Sequence, residues 1–288
     1  MKRLIPLLLG TVLFSSHVWA AETLNFAVGL YQPNKELNDK TYQPLADYLA
    51  KKTGRQVKLT TVDTWEGIAK SLANGETDMA LMGPWGYVLA NNEAEANAIA
   101  TIEYNGKPEY YAIIITHPKS GIETLKDLKG KNFAFGDKGS TSGYLIPYYH
   151  FTKNGIEPET YFKRVVHTKH QAIETQVTRG ELDAGADYNR NRDAMIDSGL
   201  IKAEDSKIIW TSDPLPNDAF GVSQNIYKNK ELVKKLQLAL SSVGEELKKN
   251  PDLLPKNYTG FQIKDDSFYK PIKDAGLATG KLKRKKDS

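Results

Sequence analysis

From residue 23 to residue 249, short strand-like runs alternate with segments of helical period. Residues 23–28 read as a strand that opens onto a loop at 31–33. Tyr42, Leu45, Tyr48 and Leu49 then recur at helical spacing until Gly54 stops the pattern. Residues 57–62 alternate like a strand, Thr64 can cap a helix carrying Ile68 and Leu72, and 78–82 is a short buried strand broken by Gly83-Pro84. Residues 110–116 are almost wholly apolar and rich in β-branched side chains, as in a central strand buried on both faces. The theme repeats with strands at 132–135, 165–166, 182–186 and 207–210 and helices at 141–153, 170–179 and 192–198. Pro147 lies inside the first of these helices and removes a backbone donor, so a bend or an early end is expected there. Residues 220–222 re-enter the first half, and 229–249 form a long amphipathic helix. This alternation calls for an α/β fold with mostly parallel sheet. It divides into a discontinuous lobe at 21–117 and 219–280 and an inserted lobe at 118–218. A cleft between two such lobes is the default ligand position.

The two ends differ from the body in charge. Lys2 and Arg3 precede an apolar run at 4–14 that is too short to span a bilayer, and Val18-Trp19-Ala20 offers a cleavage site. Residues 1–20 therefore read as a signal peptide cut after Ala20, which makes the mature chain periplasmic. Residues 281–288 carry five basic side chains against Asp287 and read as a flexible tail. The formal net charge is +4, of which two charges come from the first 20 residues and a net four from the last eight, so the body is −2. Such a body presents no broad positive face to nucleic acid. The absence of cysteine excludes disulfides, thiolate metal sites and cysteine nucleophiles.

The strongest local signal is Phe135-Gly136-Asp137-Lys138-Gly139-Ser140-Thr141-Ser142-Gly143: a strand ends, a small-residue loop follows and a helix begins. First-turn N–H groups lack backbone acceptors and carry partial positive charge. Three hydroxyls at that place complete a cradle for a tetrahedral anion. The same residues would also serve a plain helix cap. Asp183 to Arg190 places Asp187, Tyr188 and Arg190 just past a strand's C-terminal edge, where ligands bind in open α/β sheets, and Asp218 follows the second crossing between lobes. Either Asp can accept a hydrogen bond from a protonated oxyacid or act as a turn residue. Trp65 and Trp85 are candidates for an aromatic wall, although Trp85 also suits core packing. His170, at a helix start, can donate to an anion; His167 and His170 alone are a weak metal signal. No Gly-x-Ser-x-Gly, His-Glu-x-x-His or dinucleotide fingerprint is present, and no catalytic residue, metal or cofactor is expected.

Residues 78–89, Asp127 to Lys131, 136–147 and the pair Ile209-Trp210 with Leu215 to Asp218 together resemble the periplasmic phosphonate/phosphite/hypophosphite-binding proteins of ABC transporters, over about Leu24 to Gly276. The Gly-Pro-Trp-Gly-Tyr run, Asp187 with Arg190 and Arg192, and Leu-Pro-Asn-Asp look closest to the phosphite and hypophosphite branch. The resemblance implies a two-lobed, type II-like solute-binding fold, a phosphorus oxyanion held by Ser140, Thr141 and Ser142, and contacts from Trp65, His170 and Asp218. It implies a monomer that delivers its ligand to an ABC permease, touches the inner membrane only through that partner, and catalyses nothing. A ligand sensor docking on a membrane receptor kinase would use the same cleft. A phosphoesterase lacks its metal-ligand set here.

Overall fold

The computed structural model describes residues 23–32 and 34–283. The expected signal peptide and its cleavage site lie outside the described residues, as does 284–288 of the basic tail. Among the described residues no helix is long and apolar enough to cross a membrane.

Two sheets organise the chain. The first has six strands in the order Gln56–Val62, Thr23–Gly29, Met79–Met82, Ala219–Val222, Asn97–Tyr104 and Tyr258–Gln262. The second has five, in the order Arg164–His167, Asn132–Phe135, Ala184–Tyr188, Ala112–Thr116 and Lys207–Thr211. In each, the first three strands are parallel, the fourth is antiparallel to its neighbours, and the fifth pairs antiparallel with the fourth. The sheets are thus mixed, not mostly parallel. The reason is the origin of the fourth strand. Ala112–Thr116 and Ala219–Val222 each arrive from the other sheet, free of the helical crossover that keeps successive strands parallel.

This placement also corrects the lobe boundary expected at residue 117. Ala112–Thr116 is buried throughout, as its composition requires, but it pairs in the five-stranded sheet. The first crossing therefore precedes residue 112. An apolar β-branched run marks a central strand without saying in which sheet. The crossings meet: Glu109–Tyr110 pairs antiparallel with Leu215–Pro216 in a two-stranded ribbon.

Helices Lys35–Thr53 and Lys230–Ser241 cover the first sheet, packing Leu45, Leu49, Leu236 and Leu240 against Phe26 and Phe220. The second sheet is packed by an aromatic cluster in which Phe133 and Phe162 stack at 4.5 Å. Burying each such side chain is worth roughly 1.5–3 kcal/mol. At the cradle, Thr141–Leu145 forms a wide π turn and Ile146–Lys153 continues as an α-helix. Pro147 has no N–H for the Gly143 carbonyl, which accepts instead from the Gly136 N–H at 2.7 Å. The bend expected at Pro147 takes the form of this widened turn, tied back to the strand that precedes it.

Candidate functional site

A cavity of about 250 Å³ is lined by residues from both sheets. Five helical segments begin at its wall, each one following a strand: Trp65–Ala73, Pro84–Ala94, the turn at Thr141–Leu145, His170–Thr178 and Asn189–Asp197. Their N-terminal ends bring partial positive charge to one place, which suits an anion.

Ser140 caps the Thr141 turn: its Oγ accepts the Gly143 N–H at 3.0 Å and lies 3.1 Å from His170 Nε2. His170 Nδ1 is 2.7 Å from Asp187 Oδ1, and Asn191 donates to the other carboxylate oxygen at 2.9 Å. An ionised Asp187 can only accept, so it holds a proton on Nδ1; Nε2, turned toward Ser140, accepts the Ser140 hydroxyl in the neutral ring and donates only in the imidazolium. The imidazole packs against Gly143, where an added Cβ would stand 2.6 Å from His170 Cε1. Gly143→Ala should therefore push the ring from Ser140 and disturb the orientation of that hydroxyl at the cavity wall. Affinity for phosphite or methylphosphonate is expected to fall roughly tenfold or more in a calorimetric titration. Wild-type affinity in this variant would show that the ring's place beside Ser140 does not matter to binding.

Thr141 and Ser142 are buried, and Thr141 Oγ1 accepts the Trp85 N–H at 2.8 Å. A hydroxyl beside the second sheet thus caps a helix that follows the first. The Tyr110 hydroxyl faces the same pair, and its ionisation is pushed up to about 12 by burial and the Asp218 charge. Trp65 also lines the cavity, edge-on to Tyr31 at 5.6 Å. A Cβ on Gly139 would meet Trp65 Cδ1 at 2.4 Å, so glycine there lets the indole lie on the cradle loop.

Asp218 Oδ1 lies 3.8 Å from Arg190 in a buried ion pair. The guanidinium carbon sits 4.5 to 5.7 Å from the ring centres of Tyr104, Tyr110, Tyr188 and Tyr258. Burial raises the Asp218 carboxyl above its usual range, and the neighbouring guanidinium opposes that rise.

Of the residues expected at the site, Ser140, Thr141, Ser142, Trp65, His170, Tyr188, Arg190 and Asp218 line the cavity, while Trp85 and Asp187 do not. Trp85 turns into the core, where a Cβ on Gly276 would meet its ring at 2.5 Å. Neighbours on a helix point about 100° apart, so Pro84 reaches the cavity and Trp85 cannot. Asp187 stands behind His170, with both oxygens occupied. Tyr31, Tyr110, Asn191 and Tyr258 line the cavity without having been expected there. For Tyr31 the signal was available, because it lies just past the end of the Thr23–Gly29 strand. Tyr258 gave none, since edge-strand pairing with Asn97–Tyr104 brings it there from far along the chain.

Residues 27–269 match the family model for the ABC transporter, phosphonate, periplasmic substrate-binding protein. The chain is 29% identical over 225 residues to a phosphonates-binding periplasmic protein of Escherichia coli K12, covering 76% of this chain and 66% of that one. It is 27% identical over 228 residues to a phosphate-import protein of Mycolicibacterium smegmatis, covering 75% and 70%. Its fold matches a crystal structure of a binding protein component of an ABC phosphonate transporter from Pseudomonas aeruginosa with a TM-score of 0.77, 26% identity and coverage of 90% and 87%. The α/β architecture, the cavity between two sheets and a match that runs through both of them place the chain in the family of periplasmic phosphonate substrate-binding proteins of ABC transporters.

Proposed function

We propose that the protein captures a small phosphorus oxyanion in the periplasm and delivers it to an ABC permease, without transforming it. The observation that carries this reading is the convergence of five helix starts, the Ser140-Thr141-Ser142 hydroxyls and His170 on one cavity. The hydroxyls and helix ends are donors, as is His170 as an imidazolium, and a tetrahedral oxyanion is the acceptor they suit. The single chain supplies the whole cavity, in keeping with a monomer. The lobes, joined at the Glu109–Tyr110 ribbon, close around the ligand, and the permease engages the closed form.

Phosphite, hypophosphite and phosphonates replace at least one oxygen of phosphate with hydrogen or carbon. A position facing the Trp65 ring suits such a group and leaves a fourth oxygen without a donor. Calorimetric titration with phosphite, hypophosphite, methylphosphonate, phosphate and sulfate tests the reading. The best reduced-phosphorus ligand is expected to bind at least about a hundredfold more tightly than phosphate, or roughly 2.8 kcal/mol. Binding of none of them would overturn the function. Equal binding of phosphate would overturn the selectivity alone.

A further inference from the structure

Behind the cavity lies a buried acid that the binding reading does not use. Glu174 follows His170 by one turn on the helix His170–Thr178, so the two side chains share a face. Glu174 is fully buried, and neither of its carboxyl oxygens makes a hydrogen bond of normal geometry, although the Asp187 carboxylate and the Ser206 hydroxyl face it. The groups that act on it come from each surrounding element. Asp187, on strand Ala184–Tyr188, is equally buried and already holds His170 and Asn191. Arg192, on helix Asn189–Asp197, is positive but spends its donors on Ser206 Oγ at 3.0 Å, the Ser206 carbonyl at 3.0 Å and the Ala203 carbonyl at 2.7 Å. Ser206 completes the surround.

Two neighbouring carboxyls in a dry interior do not both ionise readily. Asp187 has two donors to stabilise its charge, the His170 imidazole and the Asn191 amide, whereas Glu174 is faced only by the Ser206 hydroxyl and an Arg192 whose donors are spent elsewhere. The proton therefore belongs to Glu174. We propose that Glu174 is a positioning residue for oxyanion binding: as a neutral acid it leaves Asp187 free to hold His170 toward Ser140, and as a carboxylate it sets this wall of the site against anions. Burial and the Asp187 charge, acting together, push the Glu174 carboxyl up to about 8.

The sign follows from charge. Below its titration Glu174 is neutral and affinity is at its plateau. Above it a second negative charge stands behind His170, so affinity falls as pH rises. By linkage, a bound anion in turn strengthens the hold of Glu174 on its proton.

The inference rests on the oxyanion reading, and its test separates the two. Phosphite and methylphosphonate are titrated calorimetrically into the wild type and Glu174→Gln, an isostere of the neutral acid, from about pH 6.5 to about pH 9.5. The ligand's own ionisation affects both proteins alike, so the ratio of their affinities reports Glu174. Wild type is expected to match the variant at the lower pH and to bind about tenfold more weakly at the higher one. A ratio constant across the range would overturn the inference and leave the functional reading standing. Failure of the wild type to bind either ligand at any pH would overturn the functional reading itself. Should the variant not fold, carbon-13 NMR of wild type labelled at glutamate carboxyls decides. One carboxyl should titrate above about pH 7, and titration of every glutamate near the ordinary value of about 4.3 would overturn the inference.

Discussion

Replacing Thr141 and Ser142 together with Ala is expected to lower affinity for phosphite and methylphosphonate at least about a hundredfold. In the proposed site each hydroxyl would supply a charge-assisted hydrogen bond worth roughly 1.5–3 kcal/mol, and every 1.4 kcal/mol is about a tenfold change. Both side chains are buried at the start of the wide turn, so water does not readily take their place. Thr141 has a second task, accepting the Trp85 N–H. The double variant strands that donor and should also lose some ligand-free thermal stability, about 1–3 kcal/mol for an unpaired buried group. Thr141→Ser keeps the hydroxyl and is expected to bind within a few-fold of wild type. Undiminished affinity in the double variant for every phosphorus oxyanion would remove the cradle from the site.

Arg190→Met should cost the folded protein about 3 kcal/mol or more. It leaves the Asp218 carboxylate buried without its cation, and breaking a buried pair from one side costs roughly 3–5 kcal/mol. It also empties a cage of four tyrosine rings, each worth about 0.5 to 2 kcal/mol to a desolvated cation. For a chain of this size the thermal midpoint should drop by about 6 °C or more. Adding Asp218→Asn removes the stranded charge and should recover part of the loss. A midpoint within about 2 °C of wild type for Arg190→Met alone would mean that the pair and the cage contribute little.

The sequence revealed the local chemistry of the site better than its long-range assembly. A strand, a small-residue loop and three hydroxyls in a row describe a helix start wherever the segment lies, which is why the placement of Ser140, Thr141 and Ser142 was legible. His170 was legible for the same reason. Asp187 was misread because proximity to a strand end does not fix side-chain direction. Successive strand residues point to opposite faces, so Tyr188 lines the cavity while Asp187 turns to the helix carrying His170 and Glu174. The tyrosine cage was invisible, since its rings come from four separate segments that only tertiary pairing gathers. The antiparallel fourth strand of each sheet was missed for a related reason: hydrophobic period identifies a strand but carries no information about its partner.

Glu109–Tyr110 and Leu215–Pro216 are the two places where the chain passes between its halves, and they are laced to one another. Two separate tethers would let the halves swivel, slide and tilt independently. A paired ribbon behaves more like a leaf spring, yielding across its face and stiff against wringing or shear. If the halves close on a ligand as proposed, such a ribbon favours movement along a single coordinate. A receiving complex would then need to read only one angle to distinguish loaded from empty.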